Sequence, residues 1–349
     1  MLVDETRLLL LTRDSLSDEQ LAQLNRRGKS SKPPDEDSPP ELNRSGSITS
    51  YAWLFAGLDG LAAYNLFHWS LTRQASVVDE RLADFRGTVV ADAYSAYVQL
   101  EQRSQGRIAH ASCNVHARRE FVEAESYEPI LSAQILSLYQ QLYRIEERAK
   151  TLTAEARYEL RQRESVSVWR EMELWLASDA VRRAALPSSR FGKAVGYLTN
   201  QWSALQKYLS DGWLPIDNDQ AEQIIRPLAV GRRNWLFLGH PQAAIGRLQL
   251  LSVVSSAHRH NLIVEDYLTD VLTKLADAKQ NHPSDLEIGS AYLLDLLPDR
   301  WAAAHPQSIR HERVAEKKDL AEAKRVRRAQ RRQKARQEQR AASLSQTPI

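Results

Sequence analysis

The segment Gly87-Thr88-Val89-Val90-Ala91-Asp92 is the stretch on which the prediction of the fold depends. It holds three consecutive β-branched residues, which favour a strand, and it ends on a carboxylate. Apolar residues at helical spacing precede it from Ser76 to Phe85, and another short apolar run follows it from Ile108 to Val115. A strand between a helix and a further strand is typical of a mixed α/β core.

The N-terminal third predicts further strands. The apolar-rich segment from Leu2 to Leu11 predicts a strand that carries Asp4. Tyr51 to Phe55 and Ala63 to Trp69 are short aromatic and aliphatic runs separated by a glycine-containing turn, which predicts a hairpin. Residues 14–50 hold four prolines among serine and charged residues, and they predict a long flexible loop.

The middle of the chain predicts helices. Residues 117–210 contain only two glycines and two prolines, and their apolar residues recur at intervals of three and four. Two further helical stretches are predicted, at roughly 219–230 and 247–276. The pattern as a whole predicts a mixed α/β core with an all-helical block inserted into it.

The charge is distributed unevenly along the 349 residues. The formal net charge is +3, but residues 310–340 hold 13 Lys and Arg against 5 Asp and Glu, which leaves −5 for residues 1–309. The C-terminal tail is therefore the simple phosphate-attracting segment. One cysteine excludes an internal disulfide, and the apolar run from Leu8 to Leu11 is too short for a signal peptide or a membrane span. We expect a soluble intracellular protein.

Three carboxylates stand at positions that suit metal chemistry: Asp4 inside the first strand, Asp92 at the end of a later strand, and Glu222 at the start of a helix. Two-metal phosphoryl transfer needs such a set, because hard cations take oxygen ligands held on rigid elements. Each residue also has a simpler interpretation. Asp92 could bond the turn that follows it, Glu222 could pair with Arg226 at i+4, and Asp4 lies near a terminus. The pattern alone leaves both interpretations open.

One other set of residues has metal-like spacing. His110, Cys113 and His116 follow one another at intervals of three. On a strand this spacing directs the side chains to alternating faces, and no second pair of ligands lies nearby in the sequence. The pattern does not favour a zinc site.

Several segments, read together, resemble a known family. The longest matching segment, Arg226 to Phe237, is also the most specific. The chain is similar to the TnpC-type catalytic transposase of the insertion-sequence family numbered sixty-six, over roughly residues 1–275. The matching segments are Val3-Asp4-Glu5-Thr6, Phe85-Arg86-Gly87, Asp92-Ala93-Tyr94-Ser95-Ala96-Tyr97, Cys113 to Phe121, Ala194-Val195-Gly196-Tyr197-Leu198, Asp211-Gly212, Ile216 to Glu222 and Arg226 to Phe237.

The resemblance implies an RNase H-like fold with an Asp-Asp-Glu active site. Carried over by position, the catalytic and metal-binding residues are Asp4, Asp92 and Glu222, with Asp59 as the alternative first carboxylate. The implied cofactors are two Mg²⁺ (or Mn²⁺) ions, and the implied reaction is DNA cleavage followed by strand transfer. The implied contacts to DNA phosphates are Arg118, Arg119, Arg226, Arg232 and Arg233.

The fold class we expect is α/β, an RNase H-like mixed-sheet core with a large all-helical insertion and a basic C-terminal tail. Five regions are predicted, which divide the core into two parts. They are the first part of the core (1–122, with the flexible loop 14–50), the helical insertion (123–212), the remainder of the core with the Glu-bearing helix (213–280), a C-terminal extension (281–309) and a helical or disordered basic tail (310–349).

The resemblance also implies partners. These are the DNA of transposon ends and target, a homo-oligomer on paired ends and accessory transposition proteins, in the bacterial cytoplasm at the nucleoid and without a membrane. Family members usually carry a zinc-binding, helix-turn-helix and coiled-coil region before the first Asp. Asp4 stands three residues from the initiator, so we expect an N-terminally truncated member. The alternative function is an inactive relic that only binds DNA or a partner transposase.

Overall fold

The computed structural model describes residues 1–11, 16–17, 47–58, 63–235, 238–281 and 290–310, with single positions at 319, 322, 323, 326 and 330. The chain divides into two compact units, Met1–Ser252 and Val253–Ile349. The division after Ser252 falls inside the segment 213–280 that the sequence assigned to one region. The alternative first carboxylate Asp59, and most of the predicted loop 14–50 and of the basic tail, lie outside the described residues.

The centre of the first unit is a five-stranded mixed sheet. Its strand order is β3-β2-β1-β4-β5. β1 pairs with β2, and β2 with β3, in antiparallel fashion, whereas β1 pairs with β4, and β4 with β5, in parallel. The strands are β1 (Leu2–Leu11), β2 (Ser47–Ala56), β3 (Asn65–Ser70), β4 (Gly87–Ala91) and β5 (Ile108–Ser112).

The start of β2 corrects the predicted loop, which extended to residue 50. Residues 47–50 look polar in the sequence, but they pair with residues 8–11 of β1. Ile48 is buried, and the Ser50 hydroxyl donates to Leu8 O at 3.3 Å and accepts from Trp69 Nε1 at 3.1 Å. Partners inside the sheet therefore satisfy the buried hydroxyl of Ser50 and allow this polar residue to lie in the strand.

Each face of the sheet is covered by a different set of helices. Alternate residues of a strand point to opposite faces, so Leu2 and Val90 lie in one core cluster while Val3 and Val89 lie in the other. The second cluster also contains residues of the short helices between β3 and β5. These helices are α1 (Ala75–Arg81), α2 (Ser95–Val98) and α3 (Leu100–Arg103).

The helical block follows β5 and shares the core of the Leu2 face. Its buried residues recur at helical spacing, as in Ile135, Leu138, Leu142 and Ile145. The prediction that this stretch is helical is therefore confirmed, but long helices such as the 21-residue Pro129–Ala149 alternate with short ones of five to seven residues. The block consists of α4 (Asn114–Ala124), α5 (Pro129–Ala149), α6 (Ala154–Leu160), a π-helical turn (Arg161–Ser165), α7 (Val166–Ala177), α8 (Asp179–Ala184), α9 (Arg190–Asn200), α10 (Trp202–Gln206) and a 3₁₀ turn (Lys207–Ser210).

Two helices follow the block, α11 (Asp219–Trp235) and α12 (Pro241–Arg259). The predicted helix over 247–276 is wrong in one respect, because the chain turns at Asn261 (φ 57°) between α12 and the next helix, α13 (Val264–Asn281). The second unit also holds α14 (Ser290–Asp295), α15 (Pro298–Ala304) and a 3₁₀ turn (Pro306–Ser308). Its own core contains Leu262, Tyr267 and Trp301. None of the helices in the described ranges is long and apolar enough to cross a bilayer.

Candidate active site

Asp4 and Asp92 lie side by side because of the strand register. The parallel pair Leu2–Val90 joins β1 to β4. Asp4 lies two residues beyond Leu2 and Asp92 two residues beyond Val90, so both carboxylates occupy the same face of the sheet. Neighbouring strands are about 4.8 Å apart. Asp4 and Asp92 therefore lie where the pairing between β1 and β4 ends.

Glu222 reaches the same region through the anchored start of α11. Asn114 at the start of α4 donates from its backbone N–H and its Nδ2 to Ile216 O, at 3.2 and 3.0 Å. Asn218 N donates to Cys113 Sγ at 3.4 Å, and Glu222 N donates to Asn218 O at 3.2 Å. These bonds fix the first turn of α11 beside the first turn of α4.

The side chain of Glu222 faces α4. Its Oε1 lies 3.7 Å from His116 Nε2. In the described part of the chain no ion pair joins Glu222 to Arg226, the residue at i+4 that a simple surface ion pair would use. The sequence prediction considered His116 only with His110 and Cys113 and missed its contact with Glu222, because a contact between residues 106 positions apart has no local signal.

The pKa of Asp4 is raised by its burial and by the carboxylates around it. Burial raises the pKa of Asp4 to about 8, and the charges of Glu5, Asp92 and Glu222 act in the same direction, against the backbone N–H of Glu5. Asp4 therefore lies within electrostatic range of both other candidate carboxylates. In the described residues no group of three or more His, Cys, Asp and Glu side chains is arranged to hold a metal ion directly.

The family model described as "Transposase IS66 family" matches residues 34–245. The chain belongs to this family. The match includes Asp92 and Glu222 and begins after Asp4.

Curated relatives of this IS66-family chain come from Sinorhizobium fredii (strain NBRC 101917 / NGR234), and three of them are described as uncharacterized. Protein y4hP is 27% identical over 260 residues, which cover 70% of this chain and 45% of that protein. Protein y4jD is 31% identical over 244 residues, 67% of this chain and 45% of that protein. Protein y4qI is 27% identical over 257 residues, 69% of this chain and 47% of that protein. The chain thus spans about half the length of the curated relatives it matches. No solved structure matches it.

The predicted phosphate contacts of this IS66-family chain divide into two groups. Arg118 and Arg119 on α4, and Arg226 and Arg233 on α11, are exposed. Arg232 is partly buried, and its Nη1 donates to Thr6 Oγ1 at 3.1 Å and to Arg7 O at 2.6 Å. The guanidinium of Arg232 therefore joins α11 to β1.

The structure separates the three residues with metal-like spacing. His110 Nε2 lies 3.0 Å from Asp92 O, Cys113 accepts from Asn218 N, and His116 contacts Glu222. Each side chain has a different neighbour, and none of the described residues forms a metal-holding group with them. Cys113 is therefore a structural residue at the start of α4.

The Cys113 thiol is expected to be unreactive in the folded protein. Its side chain is fully buried, and burial raises the pKa of the thiol to about 12, so almost no thiolate forms at mildly alkaline pH. We expect its reaction with Ellman's reagent to be at least about 100-fold slower in the native chain than in concentrated urea. Equal rates in the two conditions would show that the segment around Asn218 opens readily.

Proposed function

We propose that this chain carries the catalytic core of a DNA transposase, which cleaves DNA and transfers strands at a metal site held by carboxylates. The observation that carries the proposal is the convergence of Asp4, Asp92 and Glu222 from a central strand, the end of its parallel neighbour and the first turn of a helix. Membership of the IS66 family supports the same reaction. The strand order 3-2-1-4-5, in which β2 runs antiparallel to the other four strands, supports an RNase H-like core.

The donor chemistry of the site fits Mg²⁺ or Mn²⁺. Asp4, Asp92 and Glu222 offer oxygen ligands only. Burial is the main cause of the raised pKa of Asp4, with smaller contributions from Glu5, Asp92 and Glu222, and a bound cation would stabilise the ionised carboxylate. Mg²⁺ commonly keeps several waters and uses one or two carboxylates together with substrate phosphates. The site therefore needs no complete protein cage. Two ions, when bound, would supply Lewis acidity at the scissile phosphate.

The residues of the chain itself would orient the DNA around these carboxylates. His116 lies 3.7 Å from Glu222 on the α4 side, and Arg232 holds α11 against β1. The exposed guanidinium groups on α4 and α11 extend from the same two helices that carry His116 and Glu222, so they suit contacts to the DNA backbone. DNA ends and target are the proposed partners, with a homo-oligomer on paired ends.

The metal part of the proposal is tested by thermal melting with and without millimolar Mn²⁺, which needs no knowledge of the DNA ends. A ligand that binds only the folded state raises the melting temperature by mass action. We expect a rise for the natural sequence that Asp92→Asn and Glu222→Gln both remove. A rise that survives both substitutions would move the metal elsewhere. No rise at all would favour the inactive relic.

The DNA part of the proposal is tested by salt dependence. Each phosphate neutralised adds about −0.9 to the slope of log K against log salt on duplex DNA. We expect Arg226→Gln and Arg233→Gln each to make this slope less steep by about 0.9 in fluorescence anisotropy titrations. Arg170→Gln, which removes an exposed charge from α7, is the matched control. Equal slopes for all three variants would exclude α11 from the DNA interface.

A further inference from the structure

We propose that Glu5, Arg73, Tyr94 and Tyr97 form a positioning network that fixes the separation of Asp4 and Asp92 for cation binding. We call these four residues the Arg73 network. The inference rests on the proposed function, and it assigns a role to residues that do not touch the substrate. It follows from contacts that connect the two strands from the face of the sheet opposite the carboxylates.

Glu5 is the centre of the network. It follows Asp4 in β1, so its side chain points to the opposite face, where Val3 and Trp53 lie in the core. The side chain of Glu5 is only 6% exposed. Arg73 Nε donates to Glu5 Oε1 at 2.7 Å, Arg73 Nη2 donates to the same oxygen, and Tyr97 OH donates to Glu5 Oε2. Both carboxylate oxygens are therefore held by donors from other segments.

Arg73 connects Glu5 to the turn that follows Asp92. Its guanidinium carbon lies 3.9 Å from the centre of the Tyr94 ring, and Tyr94 OH donates to Arg73 O. Tyr94 and Tyr97 are in edge-to-face contact, with ring centres 5.7 Å apart. The side chains that donate hydrogen bonds to Glu5 therefore belong to the loop after β3 (Arg73) and to the segment directly after β4 (Tyr97).

The network ends on the candidate carboxylates through two backbone donors. Glu5 N donates to Asp4 Oδ1 at 2.9 Å, and Tyr94 N donates to Asp92 Oδ1 at 3.1 Å. Both donors belong to network residues, so a shift of Glu5 or Tyr94 moves the carboxylate group that its backbone N–H holds. Partners behind the direct ligands of a metal orient those ligands, and their loss typically costs about 10–100-fold in metal affinity or activity.

Removal of the Arg73 charge distinguishes a positioning role from a purely electrostatic effect on Mn²⁺ binding. Arg73 is a cation near the site, so its removal should tighten Mn²⁺ binding if charge alone matters. The positioning role requires the opposite result. Tyr97→Phe removes one hydrogen bond to Glu5 without changing any charge, and it tests the same role independently of Arg73.

The experiment measures the Mn²⁺ dissociation constant of the 349-residue chain by electron paramagnetic resonance of free Mn²⁺. We expect Arg73→Gln to weaken binding by about 10–100-fold and Tyr97→Phe to weaken it by about 10-fold. Arg73→Lys keeps the charge and should recover part of the loss. Asp79→Asn removes a more exposed ion pair, with Arg103 Nε at 2.9 Å, from the same layer of helices, and it should leave the constant unchanged.

The outcomes separate this inference from the proposed function. Unchanged or tighter binding in Tyr97→Phe, with an unchanged melting temperature, would overturn the positioning role while leaving the metal site intact. If Arg73→Gln does not fold, Tyr97→Phe alone decides. Mn²⁺ binding that Asp92→Asn does not weaken, or no binding by the natural sequence, would overturn the proposed function and the network's role with it.

Discussion

Arg161→Met is expected to lower the free energy of unfolding by about 3–5 kcal/mol, because it leaves the Glu146 carboxylate, whose side chain is only 13% exposed, without its partner. Arg161 lies in the π-helical turn, and its side chain is 1% exposed. Its Nε and Nη2 donate to the two carboxylate oxygens of Glu146 on α5, at 2.9 and 2.7 Å. This bidentate geometry makes the pair stronger than a single charge contact.

The same guanidinium also holds the segment that leads to α11. Arg161 Nη1 donates to Tyr208 O and to Asp211 O, both at 2.9 Å, and the guanidinium carbon lies 4.9 Å from the Tyr208 ring centre. Methionine fills similar volume but donates no hydrogen bond, so the buried carbonyl of Tyr208 loses a donor in addition to Glu146. The exposed Asp211 can bond to water instead, so its lost hydrogen bond should add little.

Urea unfolding followed by circular dichroism measures this effect. Arg148→Met is the matched control, because Arg148 pairs with Glu164 in the same block but is 57% exposed, and exposed pairs contribute about 0–1 kcal/mol. The double variant Arg161→Met with Glu146→Met should be more stable than Arg161→Met alone, since it leaves no unpaired charge. Equal losses in Arg161→Met and Arg148→Met would contradict the structural role of the buried pair.

Much of the fold could be predicted because its signals are local. The β-branched run before Asp92 forms β4, the apolar spacing between residues 117 and 210 forms helices, and Glu222 lies in the first turn of a helix. The mixed α/β class is confirmed, and so is the family. The RNase H-like core and the catalytic roles stay predictions.

The remaining features could not be predicted because they depend on contacts between distant positions. Glu5 and Arg73 are 68 positions apart, and each looks like an ordinary surface charge in the sequence. Arg232 had the same pattern as Arg226 and Arg233, but tertiary packing directs it to β1. Residues 47–50 were assigned to a loop because their polarity conceals a strand that pairs only with the far end of β1.

Asp92→Asn and Glu222→Gln are each expected to reduce Mn²⁺-dependent nicking of supercoiled plasmid by at least about 100-fold, since even a residue behind a metal ligand costs about 10–100-fold. Both substitutions keep the shape of the side chain. The amide introduced by Asp92→Asn would retain an oxygen that accepts from Tyr94 N, so the turn after β4 should persist. The loss would therefore come from the carboxylate charge and not from unfolding, which equal melting temperatures without metal would verify.

Asp219→Asn is the matched control for this measurement. Asp219 lies in the same first turn of α11 as Glu222, but it is exposed and its Oδ2 accepts from Gln223 Nε2 at 2.6 Å. We expect it to nick plasmid at the rate of the natural sequence and to bind DNA with the same salt dependence. Nicking that persists in Asp92→Asn and Glu222→Gln would exclude these carboxylates as catalytic residues. If Asp219→Asn also abolished nicking, the activity would depend on the negative charge at the start of α11. The specific positions of Asp4, Asp92 and Glu222 would then not explain it.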